Sequence, residues 1–251
     1  MPMTARFALT VGGYSLRFII FVEPKTNNMS IASQLSYIRS SLPEGVTLVA
    51  VSKTHPSAAV REAYDAGQRI FGESRPQELK AKYEELPKDI EWHMIGHLQT
   101  NKVKYIAPFV ALVHSADSAR LLETIDREAR KCGRVIDCLL EIHVAAEETK
   151  SGWAYDELKE YLRSGALSAL SAVRIRGVMG IATNTDDESV VRRDFERLVE
   201  CKRELSAFFG DDFDILSMGM SDDYPLAVEC GADMVRIGSK IFGARDYNIV
   251  G

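Results

Sequence analysis

The sequence predicts an α/β fold, a single (β/α)8 TIM barrel, and three observations carry that prediction. Eight apolar, β-branched runs alternate with helix-length segments. The central runs are almost continuously apolar, as parallel strands covered on both faces must be. The chain has 251 residues, a length that one α/β barrel fills, and contains no linker, low-complexity stretch or 20–50-residue repeat. A large open α/β sheet is the competing architecture.

Residues 1–28 stand apart as an N-terminal extension of the kind an upstream start would add. Leu16 to Val22 is apolar but broken by Arg17, far short of the ~20 residues that span a bilayer. Arg6 resembles the charged start of a secretory signal, yet no small-x-small cleavage site follows before Pro24, so no signal peptide is expected. The barrel domain is expected at 29–251, opening with an extra N-terminal helix. Ser30 is its N-cap, Ile31, Leu35, Ile38 and Leu42 share one face, and Pro43 and Gly45 close it. The strand runs follow at 46–52, 69–72, 91–95, 109–114, 135–144, 173–182, 213–218 and 233–238. Of the helical patterns between them, 188–209 is the clearest, with Val191, Phe195, Leu198, Leu205 and Phe208 recurring at helical spacing. Ala119, Leu122, Ile125 and Ala129 repeat the pattern after the fourth strand.

Composition excludes several function classes. Hydrophobic residues make up 46% and charged residues 27%, which suits a folded globule and not a disordered chain. The net charge of −5, from 31 basic and 36 acidic residues, provides no global field for nucleic acid or an anionic membrane. Cys132, Cys138, Cys201 and Cys230 form no C-x-x-C pair, so neither a zinc site nor a disulfide framework is expected. Cys138 lies in an apolar run and reads as a buried reduced thiol; reduced cysteines suit a cytoplasmic protein.

In a barrel the chemistry sits at the C-terminal ends of the strands, with phosphate commonly held by the loops after strands seven and eight. Strand seven ends in Ser217-Met218-Gly219-Met220-Ser221, and strand eight in Arg236-Ile237-Gly238-Ser239. Small residues let backbone N–H groups approach an anion, and serine hydroxyls add donors. Either run alone suits an ordinary tight turn; both at adjacent strand ends point to phosphate. Lys53 follows Leu48-Val49-Ala50-Val51 at the end of strand one. A lysine in an apolar mouth has a depressed pKa and attacks carbonyls to form a Schiff base, whereas a lysine that snorkels from the rim stays solvated. A Schiff-base lysine with a phosphate cradle suggests pyridoxal 5′-phosphate (PLP).

Other candidates read more plainly. His93 and His97 are separated by a strand end and Gly96, so they make no helical metal pair; His55, His114 and His143 read as hydrogen-bonded or surface residues. Asp222-Asp223 reads as the acidic first turn of a helix, and Lys150-Ser151-Gly152 as a solvated loop.

The runs from Val49 to Thr54, Phe71-Gly72-Glu73, Trp92 to Lys102, Ser217 to Asp222 and Met234 to Ser239 resemble the YggS/PROSC family of PLP homeostasis proteins, over about 29–247. The resemblance implies a barrel like the N-terminal domain of alanine racemase, with PLP on Lys53. It also implies phosphate held by Ser221, Gly238 and Ser239, and Arg236 facing the pyridine nitrogen. The family usually has Gly-Glu-Asn where this chain has Gly72-Glu73-Ser74, which puts any cofactor contact at Ser74 in question. The family is regarded as a carrier and regulator of vitamin B6, so a non-catalytic role is expected. Related racemases take a second base from a β-rich domain, whereas this chain stops about a dozen residues after strand eight. A weak racemase, a Schiff-base enzyme acting on a sugar phosphate and a bare interaction scaffold are the alternatives. The expected partners are PLP and apo PLP-dependent enzymes, with no nucleic acid, membrane or metal, and the expected state is a monomer.

Overall fold

The computed structural model describes residues 5–11 and 14–20 as backbone, and 29–147 and 149–243 in full. By its contacts the chain divides into Met1–Ser30 and Ile31–Gly251. In the first unit, β1 (Ala5–Val11) and β2 (Tyr14–Ile20) pair antiparallel, with Val11 opposite Tyr14. The sequence reading had no strands there; the rest of its 1–28 segment lies outside the described residues.

The second unit starts with α1 (Ile31–Ser41), the extra helix, which buries Leu35 and Ile38 and packs Ile31 and Leu42 partly against the core. Eight parallel strands follow: β3 (Thr47–Val51), β4 (Ile70–Glu73), β5 (Glu91–Met94), β6 (Leu112–Ala116), β7 (Ile136–Glu141), β8 (Val173–Met179), β9 (Ile215–Ser217) and β10 (Met234–Ile237). They close in the order β10-β3-β4-β5-β6-β7-β8-β9, so the barrel and not the open sheet is the architecture. Every predicted run overlaps one of these strands, and six contain theirs whole; β4 runs one residue and β6 two residues past the predicted ends. The intervening helices are α2 (Ser57–Asp65), α3 (Pro76–Glu85), α4 (Val103–Ile106), α5 (Ala119–Lys131), α6 (Tyr155–Arg163), α7 (Glu188–Leu205), α8 (Tyr224–Glu229) and α9 (Ser239–Phe242), and the site depends on α3, α8 and α9.

Alternation of side chains along each strand sorts the core into two shells. One large cluster joins the outward faces of the strands to the helices, including Leu48, Ala50, Phe71, Trp92, Met94 and Val235. A small cluster of Val49, Leu112, Leu139, Met179 and Met234, with Ile70 and Ile215 at its edge, fills the barrel interior. Burying such side chains contributes about 1.5–3 kcal/mol each. Among the described residues no helix is long and apolar enough to cross a membrane, and no group of His, Cys, Asp and Glu side chains would hold a metal ion.

Candidate functional site

Two residues beyond the apolar interior layer, the inward positions turn polar. Met234 is followed at that spacing by Arg236, Leu112 by His114, Leu139 by Glu141 and Ile215 by Ser217, all four buried. His93 shares this layer, because Trp92 and Met94 on either side face the helices. Arg236 donates from Nη1 to Ser217 Oγ at 2.7 Å and from Nη2 to the Gly180 carbonyl at 3.0 Å. Ser217 Oγ lies 3.1 Å from His114 Nδ1, and His114 Nε2 lies 3.0 Å from His93 Nδ1. Arginine can only donate, so the Ser217 hydrogen turns to His114 Nδ1 and the His114 hydrogen sits on Nε2, directed at His93. Burial holds His93 down at about 3 and His114 well below the ordinary histidine range. Burial also lowers Arg236 to about 10, against the pull of Asp223 and Glu141, so it remains a cation at neutral pH. Glu141 accepts from Ser151 Oγ at 2.8 Å while its Oε2 is buried without a partner, and desolvation raises its pKa.

Lys53 stands half-buried in the turn beyond β3, between Ser52 and Thr54. Among the described residues Thr54 is the one non-glycine with a positive φ, +68°. A β-branched residue there is strained. The outward side of this turn meets α3: Lys82 Nζ donates to the Ser52 carbonyl at 2.8 Å, to Glu73 Oε1 at 2.7 Å and to Glu78 Oε1 at 2.8 Å. Glu73 also accepts from Ser52 Oγ at 2.6 Å, and Glu78 from the Thr54 N–H at 2.7 Å. Burial pushes Glu73 up to about 7, which Lys82 opposes and Glu78 reinforces.

The turns after β9 and β10 lie beside this one. The Gly238 N–H donates to Ser221 Oγ at 3.2 Å, joining the two phosphate-candidate runs. A Cβ at Gly238 would come within 3.0 Å of the Val51 carbonyl oxygen, so the glycine is what lets β10 close on the strand that leads to Lys53. Gly219, at φ +87°, turns the chain toward Ser221; a Cβ there would meet the Ala227 Cβ at 2.5 Å. Ser221 is buried, Gly238 half-buried and Ser239, which opens α9, exposed. Phe242 of α9 stacks on His55, ring centroids 5.2 Å apart, tying α9 to the Lys53 turn.

Of the predicted residues, Lys53, Ser221, Arg236, Gly238 and Ser239 thus gather at adjacent strand ends. Ser74 occupies the bend after β4, where a Cβ on Gly96 would strike its Cα at 2.8 Å. Two minor readings are corrected. Lys150 is not in a solvated loop: it is 24% exposed, donates to the Ala182 carbonyl at 2.7 Å and pairs with Glu147 at 2.9 Å. Asp223 holds the N-cap position of α8 without capping it, and its carboxylate instead accepts the Met220 N–H at 2.5 Å. Lys150, Met220, Asp222 and Asp223 line a cavity of about 650 Å³, one loop round the rim, which Lys53, Arg236 and Gly238 do not line. Sequence reasoning missed Ser217 as a partner of Arg236, placed Glu73 at a strand end without giving it a role, and missed Glu78 and Lys82 altogether.

Comparison with known proteins follows the same lines. The family model of the alanine racemase N-terminal domain matches residues 27–246. The pyridoxal phosphate homeostasis protein of Aquifex aeolicus is 42% identical over 201 residues, 80% of this chain and 87% of the relative. That of Escherichia coli K12 is 39% identical over 216 residues, 82% of this chain and 88% of the relative. The structure of PipY from Synechococcus elongatus with PLP bound superposes with a TM-score of 0.78 at 41% identity, covering 85% of this chain and all of PipY. Alanine racemase from Streptomyces lavendulae, 18% identical with a TM-score of 0.69 over 85% of this chain and 56% of the racemase, shares the fold. Barrel, motifs and relatives agree: the chain belongs to the family of pyridoxal phosphate homeostasis proteins, built on the alanine racemase N-terminal domain.

Proposed function

We propose that this chain binds PLP in vitamin B6 homeostasis, carries it as a Schiff base on Lys53, and is a carrier and not an enzyme. The observation that supports this reading is the meeting of three strand ends: the Lys53 turn, the joined Ser221–Gly238 turns and the buried Arg236 cation. PLP supplies an aldehyde, a phosphate and an electron-withdrawing ring. The residues present fit each part. Lys53 offers the amine. Ser221 Oγ already accepts from the Gly238 N–H, so its own hydrogen remains to donate, and the exposed Ser239 hydroxyl adds a second donor. Arg236 donates and never accepts, so a ring nitrogen opposite it stays unprotonated, which weakens the ring as an electron sink and favours carriage over racemisation. The names of the relatives and the PLP held by PipY support the same ligand. Apo PLP-dependent enzymes are the proposed recipients, in the cytoplasm, and residues 29–251 of a monomer are the proposed binding unit.

The test is the spectrum of the purified protein. A visible band that borohydride abolishes, with the reduced adduct mapped to the peptide containing Lys53, is expected. A colourless protein that stays colourless with added PLP returns the sugar-phosphate or scaffold reading. Incubating the loaded protein with L-alanine in deuterated water is expected to give no D-alanine beyond the background rate; enzyme-like turnover would make it a racemase.

The phosphate end has its own expectation. Ser221→Ala and Ser239→Ala each remove one hydroxyl donor to an anion, worth about 1–3 kcal/mol. Equilibrium titration of PLP should therefore show additive weakening in the double variant without complete loss. Wild-type affinity in the double variant would move the phosphate elsewhere on the rim.

A further inference from the structure

We propose that helix α3 sets the geometry of the Lys53 turn through a buried ion cluster, with Glu78 and Lys82 as positioning residues for the cofactor lysine. The inference rests on the reading that Lys53 carries PLP. The residues on both sides of Lys53 are held by the same helix. Ser52 is tied by its carbonyl to Lys82 and by its hydroxyl to Glu73; Thr54 is tied by its N–H to Glu78. Lys82 spends all three ammonium hydrogens on this cluster, with 5% of its side chain exposed. Lys53 is thus suspended between two fixed points, and its stem has few backbone alternatives.

Two features separate this from ordinary stabilisation. Thr54 takes φ +68°, and its Oγ1 is buried without a partner, so the turn is strained in a way that neither its own side chain nor its residue type relieves. A charge-assisted bond from Glu78 to the Thr54 N–H offsets that strain. Secondly, two carboxylates share one buried ammonium, and Glu73 Oε2 has no partner. Such clusters cost desolvation that an apolar contact between strand and helix would not. The arrangement is costly as packing and useful as a clamp.

Glu78→Ala removes the acceptor for Thr54, whereas Glu78→Gln keeps a carbonyl oxygen in place. Hydrogen exchange of the Thr54 amide, followed by mass spectrometry without PLP, is expected to accelerate at least 10-fold in E78A and to stay within about threefold of wild type in E78Q. PLP affinity is expected to fall about 10-fold in E78A and little in E78Q. Adding Thr54→Gly to E78A should restore most of the affinity, because glycine takes a positive φ without penalty, a rescue that mere loss of stability would not allow. If E78A fails to fold, Glu78→Asp, too short to reach both Thr54 and Lys82, reads the same quantities. Unchanged amide exchange in E78A or E78D overturns the clamp. So does wild-type PLP affinity with exchange accelerated. Lys53→Ala measured alongside separates the two readings: a reducible band that survives in it removes Lys53 as the carrier, while the exchange data still judge the clamp.

Discussion

Lys53→Ala is expected to abolish the borohydride-reducible visible band and to leave the barrel folded. The side chain is half-buried in a turn beyond the end of β3, so its removal opens no core cavity. Stability should fall by no more than about 1 kcal/mol, the centre of the range for single substitutions, because no core side chain is lost. Residual PLP binding through Ser221, Ser239 and Arg236 is expected, weaker by about 100-fold, or ~2.7 kcal/mol. Lys82→Met provides the contrast. Lys82 is the other lysine beside this turn, yet it is bound to the Ser52 carbonyl, Glu73 and Glu78, so its loss strands the fully buried Glu73 carboxylate and the part-buried Glu78. That change should destabilise the fold by about 3–5 kcal/mol, as breaking a buried ion pair does. Only Lys53→Ala should separate binding from stability. Thermal melting and PLP titration of both variants check this. A reducible band in K53A, or a large fall in its melting temperature, would end the assignment.

The difference between these two lysines marks how far the sequence could be read. The eight strands were legible because parallel strands covered on both faces must be apolar, and α1 because Ser30 and Pro43 bracket an amphipathic stretch. Lys53, Arg236 and the Ser/Gly turns were legible because barrel chemistry gathers at strand ends and because their motifs resemble a family. The polar layer beneath them was hidden by a missed parity argument. Arg236, His114, Glu141 and Ser217 each stand two residues beyond an inward apolar side chain, so strand periodicity alone assigns them to the interior. Lys82 also left a trace: Leu79, Lys82 and Leu86 fall at helical spacing, which puts the lysine on the buried side of α3. What it would bind there needs the pairing of β4 with β3, a tertiary fact. The β1–β2 pairing was overlooked although the sequence carries a Gly-Gly dipeptide at 12–13, a standard hairpin signal.

Acidification is expected to destabilise the fold through His93 and His114, and a variant without them should show by how much. In the unfolded chain both imidazoles gain a proton near pH 6.5; in the fold burial keeps His93 neutral down to about 3 and His114 well below the ordinary range. Protonating His93 Nδ1 would set an N–H against the His114 N–H and add a cation to the layer that holds Arg236. Depressed folded-state values mean that their effect is absent above pH 6.5 and grows as pH falls below it, at up to ~1.4 kcal/mol per pH unit for each histidine. Glu73 acts in the opposite sense. Its pKa is raised from 4.5 to about 7, so the fold keeps a proton that the unfolded chain has already released, and stability rises as pH falls through that interval. Glu141, raised by the same desolvation, adds to this opposition. The wild-type curve alone therefore blends the two effects, and the difference between variants isolates the histidines. His93→Leu/His114→Phe leaves the Ser217 hydroxyl without its acceptor and should be less stable at pH 8 by about 1–3 kcal/mol. Below pH 6.5 the deficit should shrink by up to ~2.7 kcal/mol per unit for the pair, and the two curves should cross about one unit lower. Urea unfolding at intervals from pH 8 to 5 measures both curves. If they run parallel, the histidines titrate in the fold as they do in the unfolded chain, and burial does not hold them neutral.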